Sequence, residues 1–106
     1  MPTYKVIAQS APSAATATTL YTATNATIIS TLNASNIGGT QDTIRIAVRP
    51  AGATLANQHY IAYGVPLAAG AVFSIQGGIT LANTDVITVY STTGNTSFSA
   101  FGSEGN

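Results

Sequence analysis

Apolar and polar residues alternate with a period of two along much of this chain, the mark of strands with one face buried. The pattern is clearest in Thr43-Ile44-Arg45-Ile46-Ala47-Val48-Arg49. There Ile44, Ile46 and Val48 point one way, and Thr43, Arg45, Ala47 and Arg49 the other. Residues 85–90 set Ile87 and Val89 against Val86, Thr88 and Tyr90. Residues 27–33 set Ile28, Ser30 and Leu32 against Thr27, Ile29 and Thr31. Weaker alternation marks residues 4–8, 18–23, 59–63, 71–76 and 96–101.

Turn chemistry separates these segments: Gly38-Gly39, Pro50 with Gly52, Gly64 with Pro66, Gly70, Gly77-Gly78 and Gly94-Asn95. Proline cannot donate to a strand ladder, and glycine tolerates turn geometry. Short strands at regular spacing predict one all-β domain over residues 1–106. The expected architecture is a single antiparallel β-sandwich of about eight short strands, jelly-roll or immunoglobulin-like. Helix is disfavoured, because β-branched residues and glycines interrupt every window long enough to hold one. Residues 1–17 read as a candidate extended N-terminal arm, suited to reaching a neighbour by strand addition. Residues 102–106 read as a tail. Thr54-Leu55-Ala56-Asn57 recurs as Thr80-Leu81-Ala82-Asn83, which fits either two equivalent units or a chance echo in a low-complexity chain.

Charge changes this picture. Of 106 residues, only 6% are charged: Lys5, Asp42, Arg45, Arg49, Asp85 and Glu104, summing to zero. Soluble domains carry charge on about a quarter of their residues, and near-zero net charge promotes association. Threonine, serine, alanine and asparagine stand in place of charge, which suits surfaces covered by neighbours. There is no cysteine, so disulfides and thiolate metal sites are excluded. The start, Met1-Pro2-Thr3-Tyr4-Lys5, lacks a signal-peptide pattern. No apolar run approaches the ~20 residues of a membrane span.

Few residues are suited to chemistry. One histidine, His59, and three carboxylates offer no evident acid–base pair, and the chain has no G-x-S-x-G elbow. Zinc wants three or four His, Cys or carboxylate ligands, and the glycine pairs lack the lysine of a phosphate cradle. Three basic residues balanced by three acidic ones supply no nucleic-acid footprint. The expectation is therefore a non-enzyme with no cofactor or metal, no nucleic acid and no membrane. Arg45 and Arg49 share a strand face about 13 Å apart, and arginine is enriched at interfaces. They are interface candidates together with His59, Tyr60, Tyr63, Tyr4 and Tyr21. The tyrosines also admit a sugar-stacking reading, although the chain has no tryptophan.

The run Arg45-Ile46-Ala47-Val48-Arg49-Pro50-Ala51-Gly52-Ala53, then Leu55-Ala56-Asn57-Gln58-His59-Tyr60-Ile61-Ala62-Tyr63, resembles a known pattern. Gly78-Ile79-Thr80-Leu81 and the ending Ser97-Phe98-Ser99-Ala100-Phe101-Gly102-Ser103-Glu104 belong to it too, as do Ala8-Gln9-Ser10-Ala11-Pro12 and Leu20-Tyr21-Thr22. Together they resemble the small virion structural proteins of tailed bacteriophages, notably those of cyanobacteria. The resemblance implies a virion location and a structural role. Its sharpest form is a capsid decoration or cement protein, a homo-oligomer such as a trimer, bridging major capsid protein subunits. A tail, neck, baseplate or fibre-associated subunit and a glycan-binding adhesin module are the alternatives.

Overall fold

A computed structural model describes residues 3–105. Eight strands follow one another: β1 Thr3–Ser10, β2 Thr18–Thr22, β3 Thr27–Asn36, β4 Asp42–Arg49, β5 Tyr60–Leu67, β6 Val72–Leu81, β7 Val86–Ser91 and β8 Thr96–Glu104. Two 3-10 turns, Pro50–Gly52 and Asn57–His59, bridge β4 to β5. Each of the eight alternating segments falls on one of these strands, and no α-helix occurs among the described residues.

The strands form two antiparallel four-stranded sheets, ordered β1-β8-β3-β6 and β2-β7-β4-β5. The pairs β4–β5, β3–β6, β2–β7 and β1–β8 are nested, as in one long hairpin. That hairpin is folded over so that β8 also pairs with β3 and β7 with β4. This is the strand order of a jelly roll, one of the two sandwich types expected. Between the sheets lie Ile29, Leu32, Ile44, Ile46, Leu81, Ile87, Val89 and Phe98, each almost wholly buried. Phe98 is the largest of them; burying such a side chain stabilises by about 1.5–3 kcal/mol.

Several details correct the sequence reading. In β3 the pairing shifts between Ile29 and Thr31 on both sides, leaving Ser30 as a bulged residue against β8. Ile28 and Ser30 consequently face outward while Leu32 is buried, so the expected common face of Ile28, Ser30 and Leu32 is split. The bulge depends on Gly102. A Cβ there would meet the Ile28 carbonyl oxygen at 1.9 Å, so only glycine lets the two backbones approach. Gly77 and Gly78, expected as a turn, lie within β6 opposite the single residue Ser30. Gly64 and Pro66 likewise lie within β5.

The N-terminal arm and the C-terminal tail are corrected as well. Residues 3–10 are paired along β8 as β1, and residues 102–104 continue β8. Main-chain pairing, with Thr3 opposite Glu104, draws both segments into the sheet; Met1, Pro2 and Asn106 lie outside the described residues. Only residues 11–17 form a connecting loop. The two Thr-Leu-Ala-Asn runs are not equivalent, since the first lies in the loop before Asn57–His59 and the second ends β6.

Candidate functional site

The structure fastens nearly every charge to the molecule itself. Asp42, at the start of β4, is 1% exposed. One of its oxygens accepts the backbone N–H groups of Thr43 (2.8 Å) and Thr93 (3.0 Å). The other accepts the hydroxyls of Ser91 and Thr96. Burial pushes the carboxyl up, but the two hydroxyls and two N–H groups outweigh it and hold the pKa at about 2. Since Thr96 belongs to β8 and Ser91 to β7, this knot ties the two sheets together at one end.

A second knot lies at the opposite end. Glu104 pairs with Lys5 at 2.8 Å and accepts the Tyr21 hydroxyl, which also lies 3.4 Å from the Thr27 hydroxyl. Hydrogen bonds from Lys5 and Tyr21 lower the Glu104 pKa, and the bond to Glu104 raises that of Lys5. Burial, then the bond to Glu104, raises the Tyr21 phenol. Asp85 accepts the N–H groups of Ala51 and Ala82, both at 2.9 Å, which lower its pKa. These bonds dock the Pro50–Gly52 turn against the bend before β7.

The outer face of β2-β7-β4-β5 holds both arginines. Cross-strand pairing sets Arg45 between Tyr63 of β5 and Tyr90 of β7. Its guanidinium lies 4.5 Å from the Tyr63 ring centroid and 4.3 Å from that of Tyr90. The Arg45 Nε is buried without a hydrogen-bond partner, so the two ring faces are its principal contacts. Tyr60 meets Tyr63 edge to face, with centroids 4.8 Å apart. Arg49 donates to the Thr88 hydroxyl at 3.0 Å and the Ala53 carbonyl at 3.1 Å. Ala47, also buried, lies between Tyr60 and Thr88 in the pairing. The His59 Nδ1 accepts the Ala56 N–H at 3.0 Å, which places its proton on Nε2 and closes the Asn57–His59 turn.

The outer face of β1-β8-β3-β6 is of a different kind. Register and alternation place Tyr4, Ser103, Ile28 and Thr80 in one outward row, and Val6, Phe101 and Gln76 in the next. Gln9, Ser99, Asn33 and Ser74 follow, then Ser97, Ser35 and Val72. None of these positions carries a charge. One half is largely apolar: Tyr4 is 83% exposed and Ile28 51%, and a shallow groove of about 480 Å³ runs past Tyr4, Ile28, Phe101 and Ser103, with Lys5, paired to Glu104, also on its wall. The other half is mostly hydroxyls and amides, with the exposed Val72 at its edge.

Edges matter for how either face meets a partner. The edge strands β1, β2, β5 and β6 each carry a pairing irregularity, at Ile7, Leu20, Ile61 with Gly64, and Gly77-Gly78. Bulges twist an edge away from incoming strands, so association through faces is favoured over strand addition.

The sequence-picked residues thus separate into three places. Arg45, Arg49, Tyr60 and Tyr63 share one outer face, with His59 in the adjoining turn; Tyr4 lies on the opposite face, and Tyr21 reaches into the end knot. Ile28 and Phe101 were not singled out, Tyr90 entered only among the tyrosines of the sugar-stacking reading, and Asp42 only among the carboxylates without an evident acid–base partner. Phe101 was within reach, since it falls in an alternating segment opposite Phe98 and Ala100. Ile28 was hidden by the bulge. Among the described residues, no three His, Asp or Glu side chains gather where they could hold a metal ion. Comparisons of the chain with protein-family models, with curated proteins and with solved structures found no match.

Proposed function

We propose that this domain is a non-enzymatic structural subunit of a tailed-phage virion, in its sharpest form a capsid decoration protein. It would dock on the shell through the outer face of β1-β8-β3-β6. The observation that carries this reading is that the outward rows of that face hold no charge, while Lys5, beside the groove, is already paired with Glu104. Covering a charge costs several kcal/mol of desolvation unless it is paired, whereas covering Ile28, Phe101 and Tyr4 is favourable at about 25 cal/mol per Å². Hydroxyls and amides on the other half can re-form their hydrogen bonds across a joint.

Size sets a limit. Four strands of about eight residues project about 500 Å², somewhat less than the ~800 Å² per partner of a standard interface. One copy alone therefore binds weakly. Self-association into a homo-oligomer, such as a trimer, multiplies the contacts and supplies avidity. Each copy that spans two shell subunits adds interface that internal pressure must break.

Particles assembled with Ile28→Lys or Phe101→Lys protein test the reading by copy counting. Stability should change by no more than ~0.5 kcal/mol for Ile28→Lys, as for an exposed site, while occupancy falls roughly tenfold or more. Full occupancy by both variants overturns docking through this face. Roughly hundreds of wild-type copies per virion fit the shell, whereas about six to a few dozen fit the tail instead.

A further inference from the structure

We propose that the cleft between Asn57, Tyr60 and Tyr63 is a binding site for a neutral saccharide. It lies on the sheet opposite the proposed docking face and does not rest on the virion reading. The cleft is shallow and open to solvent, with a volume of about 490 Å³, within the ~300–1,000 Å³ range of small-ligand sites. Tyr63 is 61% exposed, yet its ring is restrained, with the Arg45 guanidinium stacked on it and the Tyr60 ring meeting it at 84°. An exposed aromatic ring that is already fixed loses little conformational entropy when a ligand stacks on it.

The chemistry of the walls selects the ligand. A pyranose presents one face of C–H groups, which stacks on an aromatic ring, and a rim of hydroxyls. Two phenols and the Asn57 amide offer donors and acceptors for that rim. The closed turn at His59 holds the Asn57 backbone beside the rings. No charged side chain lines the cleft, and Arg45 is engaged between Tyr63 and Tyr90 with its Nε buried. A phosphate, carboxylate or ammonium group would find no charged side chain on the cleft wall, and the nearest charge, Arg45, is held between two rings, which favours a neutral sugar over a nucleotide or an acidic one.

The test is a titration of the whole chain with methyl glycosides of glucose, galactose, mannose and N-acetylglucosamine, and with glucuronate, read from tyrosine ring resonances. At least one neutral glycoside should give saturable shifts with a dissociation constant on the order of 1 mM. Tyr63→Ala should weaken it roughly tenfold and Asn57→Ala roughly threefold, whereas Tyr4→Ala, on the other face, should leave it unchanged. If Tyr63→Ala proves unfolded, Asn57→Ala alone decides. Three results would each overturn the site: no saturable shift with any neutral glycoside, equal weakening by Tyr4→Ala, or tighter binding of glucuronate. Failure here leaves particle occupancy untouched, so the two proposals stand or fall separately.

Discussion

The two outer faces of this sandwich come from one chain of nearly uniform composition, yet they spend their polar groups in opposite ways. On β2-β7-β4-β5, Arg45 is clamped by Tyr63 and Tyr90, and Arg49 is hydrogen-bonded to Thr88 and Ala53. The charges of that face are engaged before any partner arrives. On β1-β8-β3-β6, Ser74 donates to Asn33 and Ser30 to the Phe101 carbonyl, but the apolar set around Ile28 and Tyr4 stands open. The difference shows that a low charge count is not spread evenly over a surface. Charge is kept where it fastens strands and omitted where a surface is available to be covered.

The largest way to break this contrast is Gly102→Ala. Its Cβ would strike the Ile28 carbonyl oxygen, and backbone cannot yield as a side-chain tip can. We expect a loss of roughly 3 kcal/mol or more, measured by urea melts, with the Ile28 end of the open face displaced. A loss below ~1 kcal/mol would mean that the bulge at Ser30 does not shape that face.

Asp42→Asn acts next, on the knot that holds both sheets together. The folded carboxyl has a pKa of about 2 against an ordinary 3.8. Its depressed value means that its stabilisation is fully present above 3.8 and is lost as pH falls toward 2. Wild type should lose about 2 kcal/mol across that window from this group. Asp85 and Glu104, also lowered, add to the same acid limb. The variant should be less stable near neutrality by about 2–3 kcal/mol and show a flatter limb. An unchanged acid limb would remove Asp42 from that role.

Arg45→Met makes the smallest change and sharpens the comparison most directly. It keeps the aliphatic stem but removes the cation shared by two rings, worth about 0.5–1 kcal/mol per ring at exposed sites. The expected loss is about 1–2 kcal/mol, with a change in the tyrosine near-ultraviolet circular dichroism. An effect below ~0.5 kcal/mol would show that the charges of this face are no more firmly engaged than the polar groups of the other.

The strands were legible because alternation is a local property: Ile44, Ile46 and Val48 announce β4 without reference to any partner. What escaped the sequence depends on which strand lies alongside. Ile28 was assigned to the wrong face because the bulge at Ser30 arises from pairing with β8. Gly77-Gly78 read as a turn, since a glycine pair has the same local preferences in a turn and in a bulge. The Gly102–Glu104 segment looked like a tail because nothing in it shows that Thr3 and Thr27 flank Glu104. Arg45 and Tyr63 were visible as candidates, but the stack needs Tyr90, whose place beside Arg45 is fixed only by register. Asp42 was visible only as a carboxylate near a strand start, and the arrival of Ser91 and Thr96 makes it a buried one.

The position of β8 between β1 and β3 also governs when the molecule can form. The β4–β5 hairpin closes within neighbouring sequence, but β1 has no partner strand in its sheet until β8 has been synthesised. A chain emerging from the ribosome therefore carries β1 unpaired and β3 paired only to β6, on either side of an empty slot, and the last strand completes the sheet from its middle. Such long-range closure makes folding slow.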